Sequence, residues 1–199
     1  MPEHYYTNQP ATAHDRKVWD ATLRGQAFRF ISDAGVFSKG GVDYGSRVLI
    51  DAMEVPVDAR VMDIGCGYGP IGLSAARLAS QGHVTMIDVN SRAVELAKEN
   101  AAANRISNVT VLQSDLFAEV GEEKFDIVLT NPPIRAGKEI VHAIFEGAYE
   151  RLHNGGSLWI VIQKKQGAPS AKQKLESLFD SVEEVTKDKG YRIYKATKK

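Results

Sequence analysis

The chain has 199 residues, 43% of them hydrophobic and 8% aromatic, enough to bury one sizeable core, so a single domain over residues 1–199 is expected. Its 25 Lys and Arg balance 25 Asp and Glu, and no charged leader or long apolar run interrupts them, so neither export nor membrane insertion is expected and the cytoplasm is the expected compartment. A single cysteine excludes an internal disulfide framework, and no His or Cys cluster has zinc-like spacing, so no metal is expected.

Residues 1–42 read as an N-terminal cap on this domain. Within it residues 27–30 alternate like a short strand, and Gly35 and Gly40-Gly41 punctuate a loop. Residues 44–53 read as a helix with Asp43 as its N-cap. From residue 60 onward, β-branched runs alternate with helical stretches, the pattern of βαβ units and a parallel sheet. Strands are predicted at 60–64, 83–88, 108–113, 125–130 and 157–163, and helices at 70–79, 92–103 and 138–152. Residues 114–124 read as a loop with at most a short helix.

After a predicted helix at 171–179 the rhythm breaks. Residues 181–187 and 191–196 alternate on either side of Asp188-Lys189-Gly190, and Lys-Gly between two such runs is a tight turn. Strands joined this way are antiparallel. The expected fold is α/β and Rossmann-like: a mostly parallel seven-stranded sheet with a C-terminal antiparallel hairpin and helices on both faces.

Charge is unevenly spread along this scaffold. Residues 51–150 carry 8 Lys and Arg against 15 Asp and Glu, whereas residues 151–199 carry 11 against 5. The basic third meets nucleic acid or consists of solvated helix lysines, and the charge count does not separate the two.

The stretch from Val61 to Leu73 fits two cofactor fingerprints. From Gly67 it reads Gly67-x-Gly69-x-x-Gly72, the dinucleotide pattern; from Gly65 it reads Gly65-Cys66-Gly67-x-Gly69 preceded by Asp63, the turn of S-adenosylmethionine (SAM) enzymes. Both need glycines where backbone meets ligand, and a helix N-terminus behind them. Asp88, closing the second parallel strand with Val89 beside it, can hold ribose hydroxyls in either case. Asp63 favours SAM, because it lies inside the strand where a dinucleotide site has apolar packing, and a carboxylate there can reach the methionyl ammonium, directly or through water. Its alternative is a cap on the turn's own N–H groups. Asp115, at the end of the third strand, can accept from the adenine amine while Leu116 packs on the ring; a helix cap is the alternative.

The motif that decides is Asn131-Pro132-Pro133-Ile134, directly after the 125–130 strand. Two prolines cannot join a sheet ladder, so they end the strand stiffly and present the Asn131 amide oxygen and the Pro132 carbonyl to the crevice beside the first strand. Two fixed acceptors suit an exocyclic amine, whose two hydrogens they hold while its nitrogen faces an electrophilic methyl.

Together these elements, and a parallel sheet closed by a hairpin, resemble class I SAM-dependent N-methyltransferases. More narrowly, Phe37-Ser38-Lys39-Gly40-Gly41-Val42-Asp43-Tyr44-Gly45-Ser46 and Thr130-Asn131-Pro132-Pro133-Ile134-Arg135-Ala136-Gly137-Lys138 resemble the catalytic half of RsmC-type ribosomal RNA guanine-N2 methyltransferases, over residues 37–167. Larger members carry a further, inactive methyltransferase-like domain at the N-terminus, for which no room is expected here. The family's Asn-Pro-Pro motif ends in Phe or Tyr, which stacks on the target base. This chain has Ile134, with Phe37, Tyr5 or Tyr6 as the expected opposite wall.

The resemblance implies SAM as cofactor, ribosomal or another structured RNA as partner, and methylation of an exocyclic amine on a flipped base, with guanine N2 first. Methylation of an adenine amine or a protein glutamine fits the motif equally well, and a catalytically silent SAM-binding RNA module is the alternative outside enzymes. Cys66 is expected to be only a small turn residue. Lys164 and Lys165, after the fifth parallel strand, are the expected phosphate contacts, with Arg24, Arg29 and Lys39 in the cap as the alternative.

Overall fold

The computed structural model describes residues 8–37 and 40–199. The cap contains an antiparallel hairpin, β1 (Lys17–Leu23) and β2 (Gln26–Ser32), of which only the middle of β2 was predicted. Arg24 and Gly25 link the strands with φ of 50° and 74°, the two positive values that a two-residue turn with the twist of a hairpin requires.

What holds this hairpin is a pair of asparagines one helical turn apart. Asn100 accepts from the Ile31 N–H at 2.8 Å and donates to the Ile31 carbonyl at 2.9 Å. Asn104 does the same for Arg29 at 2.9 and 2.8 Å. The exposed edge of β2 is thereby paired by side-chain amides in place of another strand. Both asparagines flank the C-terminal turn of α3 (Ser91–Ala103), so the cap is bonded to the main domain.

The main sheet comprises β3 (Arg60–Ile64), β4 (His83–Asp88), β5 (Val109–Gln113), β6 (Phe125–Thr130), β7 (Leu152–Gln163), β8 (Ser181–Asp188) and β9 (Tyr191–Thr197), in the order β5-β4-β3-β6-β7-β9-β8. Pairing is parallel from β5 to β7, and β9 is antiparallel to both β7 and β8. The seven strands and the terminal hairpin match the expected fold.

Alternate residues along β3 serve opposite faces: Val61 joins the core beneath α1 (Tyr44–Ala52), α2 (Pro70–Leu78) and α3, while Met62 and Ile64 join that beneath α4 (Lys138–Arg151) and α5 (Ala168–Leu178). Helix α5 starts three residues before its predicted start, because Pro169 falls in the first turn, where no N–H partner is needed. Strand β7 starts at Leu152, and its register jumps from the Leu152–Phe125 pair to the Ser157–Ile127 pair across residues 153–156. The chain runs outward from β3 to β5 and then crosses back to β6, on the other side of β3. This reversal opens a crevice between the C-terminal ends of β3 and β6, where open α/β sheets bind ligands.

Candidate active site

The crevice is a cavity of about 660 Å³, within the range of small-molecule sites. Its floor is the glycine turn between β3 and α2. Gly65 and Gly67 have φ of 70° and 57°, left-handed values that favour glycine, and a Cβ at either would meet no protein atom within 4 Å. The space beside them is therefore free for a ligand. The Gly65 and Cys66 N–H groups both donate to the Ile87 carbonyl at 2.9 Å, which ties the turn to β4.

Asp88 anchors the other side of the turn. One carboxylate oxygen accepts from the Gly67 N–H at 2.8 Å and the other from the Asn90 N–H at 2.9 Å. Burial raises its pKa to about 6, although the N–H groups of Asn90, Gly67 and Val89 pull it down. Asp88 and Val89 both line the cavity, as do Gly65, Cys66 and Gly67. Asp115 and Leu116 lie on the same wall, in a turn organised by Ser114: its hydroxyl donates to the Leu116 carbonyl at 2.7 Å and its N–H donates to the Asp88 carbonyl at 2.9 Å. Asp115 caps no helix, and Leu116 has a φ of 51°.

Two predicted site residues are absent from the cavity wall. Gly69 is the N-cap of α2, with φ of 114°, and its glycine requirement is conformational. Asp63 is fully buried, and neither of its oxygens has a hydrogen-bond partner among the described residues. It packs against α2, where a Cβ on Gly72 would lie 2.8 Å from its Oδ2. Of the two expected routes to a methionyl ammonium, direct or through water, the direct one is closed, because strand alternation turns Asp63 to the same face as Val61, behind the turn. Burial raises its pKa to about 7; the Gly72 N–H, near it but outside hydrogen-bonding geometry, lowers it, and the Asp88 charge raises it further.

The opposite wall is the Asn-Pro-Pro motif. The Thr130 hydroxyl donates to the Ile64 carbonyl at 3.0 Å, stitching β6 to β3 where both strands end. Asn131 Nδ2 then donates to Asp43 Oδ2 and to Ser46 Oγ, both at 3.2 Å. A carboxylate accepts and does not donate, so the amide nitrogen must face Asp43 and Oδ1 is left for the cavity. Asp43 also caps α1 through the Ser46 N–H at 3.0 Å, the single role read for it in the sequence. Its second role, and that of Ser46, was missed, although both lie in the Asp43-x-x-Ser46 stretch that carries the family resemblance.

The Pro132 carbonyl is less free than expected. It accepts from the Ile134 N–H at 2.9 Å, which leaves one lone pair for a ligand. Pro133 and Ile134 line the cavity, with Ile134 starting a 3-10 turn over Ile134–Ala136. Phe37 lines it too, whereas Tyr5, Tyr6, Ser38 and Lys39 lie outside the described residues. Tyr191 and Gln163 complete the rim, and neither was singled out in the sequence.

The sequence profile of the methyltransferase small domain matches residues 27–195. The chain belongs to the methyltransferase small-domain family. Membership makes this domain a SAM-dependent methyltransferase by class, which settles the double fingerprint of the glycine turn. Among family relatives, the uncharacterized protein YbxB of Bacillus subtilis (strain 168) is 57% identical over the full length of both chains. Ribosomal RNA large subunit methyltransferase G of Pseudomonas putida (strain W619) is 36% identical over 88% of this chain and 48% of its own. The Thermus thermophilus 16S rRNA N2 G1207 methyltransferase RsmC, solved with AdoMet and guanosine, superposes with a TM-score of 0.85 at 26% identity, over 96% of this chain and 52% of its own. The chain thus spans about half the length of the ribosomal RNA methyltransferases it matches. No helix among the described residues is long and apolar enough to cross a membrane, and no His, Cys, Asp and Glu cluster among them could hold a metal ion.

Proposed function

We propose that this domain transfers the methyl group of SAM to an exocyclic amine of an RNA base, with guanine N2 of ribosomal RNA as the target. The observation that carries this reading is the Asn131 amide, fixed by Asp43 and Ser46 so that its oxygen is turned to the cavity. The family relatives named as ribosomal RNA methyltransferases, and the guanosine in complex with the Thermus enzyme, support the same substrate class.

The residues fit the cofactor. The open faces of Gly65 and Gly67 leave a cradle that a side chain would fill, and the half-buried Asp88 carboxylate on the cavity wall offers its remaining lone pairs to ribose hydroxyls. Asp115 and Leu116 would take the adenine amine and ring. When bound, SAM supplies a methyl group on a positively charged sulfur, open to attack by a nucleophile.

The protein's own task is to make a poor nucleophile adequate. The lone pair of an exocyclic amine is delocalised into the base. Asn131 Oδ1 and the free lone pair of the Pro132 carbonyl accept the two N–H hydrogens, which favours the pyramidal amine and aims its lone pair across the cavity. This is positioning and electrostatic stabilisation, in which the acceptors are set before the substrate arrives. No side chain need form a covalent bond. The Cys66 thiol is buried and its pKa is pushed well up by that burial, so it is no thiolate nucleophile. After transfer the amine proton leaves to solvent.

Incubation with methyl-labelled SAM and, separately, total RNA, DNA and protein extract tests the reading. Label in ribosomal RNA, recovered as N2-methylguanosine after digestion, is the expected outcome. Label in protein alone would overturn it and leave a protein glutamine as the target.

A further inference from the structure

We propose that Tyr191 is the aromatic ring against which the target base stacks, replacing the aromatic that the Asn-Pro-Pro motif lacks at Ile134. This deepens the base-methylation reading and rests on it. Cavity-lining aromatics among the described residues are Phe37, Tyr68 and Tyr191. Tyr68 is 2% exposed and spent on the core, its ring edge-on to Trp19 and Phe30 and its hydroxyl on the Gly41 carbonyl. Phe37 sits on a loop of the cap. Tyr191 instead is set by the sheet: it opens β9, opposite Gln163 at the end of β7, so it arrives at the same edge as Asn131.

The ring packs one residue away from the contact that fixes the Asn131 amide. It rests on the backbone of Gly45, where a Cβ would come within 2.8 Å of Cε1 and 3.1 Å of Cδ1. The next residue, Ser46, holds Asn131 Nδ2 at 3.2 Å. A side chain at position 45 would displace the ring, so the absence of one there permits the contact. The hairpin turn that carries Tyr191 is clasped to α1 as well: the Tyr44 hydroxyl donates to Asp188, Lys189 Nζ lies 4.9 Å from the Tyr44 ring centre, and the Tyr44 and Tyr191 rings are 5.7 Å apart. Backed on one side by α1 and half-buried, the ring forms part of the cavity wall. A base there would meet a ring fixed in advance, and stacking on such a ring is tolerant of base identity, since every base has a π-face. Recognition of the exocyclic amine then falls to Asn131 and Pro132, and grip on the base to Tyr191.

The test measures methyl transfer to in-vitro transcribed small- and large-subunit ribosomal RNA by wild type, Tyr191→Leu and Tyr191→Phe, with SAM affinity by calorimetry for each. Tyr191→Leu keeps apolar bulk on Gly45 but removes the π-face, and should raise KM for RNA about tenfold or more while SAM affinity holds. Tyr191→Phe should stay within about twofold of wild type. An unchanged KM in Tyr191→Leu, with wild type active on RNA, would overturn the stacking role alone. Loss of SAM affinity together with RNA in that variant would make Tyr191 a structural residue and overturn it too. A wild-type protein that labels no RNA would overturn the substrate reading and this inference with it.

Discussion

Asn131 Nδ2 donates to Asp43 Oδ2 at 3.2 Å, so an N-cap on α1 decides which end of the amide after β6 faces the cavity. Capping and orienting can be separated, because serine caps as well as aspartate but is too short to hold Asn131. Asp43→Ser is expected to keep thermal stability within about 0.5 kcal/mol of wild type. Its kcat should fall about tenfold, which corresponds to about 1.4 kcal/mol lost from transition-state positioning. A drop in melting temperature with kcat unchanged would leave Asp43 a cap and nothing more.

Removing the amide itself is the stronger change. Asn131→Ala should hold SAM affinity within a few-fold and lower turnover by about 10²-fold or more, as expected when an interaction made chiefly in the transition state is lost. Wild-type turnover in this variant would make Asn131 a strand-ending turn residue and remove the mechanism.

Much of this site was legible because chemistry and strand ends coincide in the sequence. Asp88, Asp115 and Asn131 each follow an apolar run, and a parallel sheet brings such ends to one edge. The burial of Asp63 was not legible, because the same logic says nothing about face: it lies within the run, and alternation, which short strands buried on both sides do not display as a pattern, turns it behind the glycine turn. Tyr191 and the Asp43–Asn131 bond were invisible because they join residues far apart in the chain. Strand β1 was missed for a local reason: its residues are largely exposed, and what stabilises its partner β2 is Asn100 and Asn104 on a distant helix.

Asp88 carries the cofactor prediction. Asp88→Ala removes the ribose acceptor and also the partner of the Gly67 N–H, so the turn loses its clamp. Charge-assisted hydrogen bonds of this kind are worth about 1.5–3 kcal/mol, and calorimetry should record SAM binding weakened by about 10- to 100-fold. Unchanged affinity would place the ribose elsewhere, and binding of NADH in place of SAM would restore the dinucleotide reading.

Asp63 yields a pH prediction. Its folded pKa is raised from an ordinary 3.8 to about 7, so the folded state binds the proton more tightly than the unfolded chain does. Burying it therefore costs progressively more as pH rises from about 4 to about 7, and no more above that. Asp63→Asn removes the titration. Its stability relative to wild type should climb by up to about 1.4 kcal/mol per pH unit across that window and then level off, as read by urea unfolding at a series of pH values. A difference that stays flat with pH would mean that a cation or donor meets the carboxylate and keeps it ionised.

The last prediction concerns grip on the RNA backbone. Lys164 and Lys165 form the exposed turn after β7, at the sheet edge that also carries Asn131, and the hairpin turn is bonded to them through the Lys164 N–H and the Gly190 carbonyl at 2.9 Å. Of the alternative basic residues in the cap, Arg24 is already engaged, since one of its nitrogens donates to the Ile50, Asp51 and Met53 carbonyls and thereby closes the C-terminus of α1. Phosphate contacts position a nucleic acid without reading its sequence, and each neutralised phosphate adds close to one unit to the salt slope for duplex and about 0.7 for single strands. Changing both lysines to alanine should thus weaken ribosomal RNA binding and flatten the dependence of log K on log salt by about one to two units. SAM affinity should be untouched, because neither lysine lines the cavity. A salt slope equal to that of wild type would assign both lysines to solvent and shift the RNA-binding surface to another face of the domain.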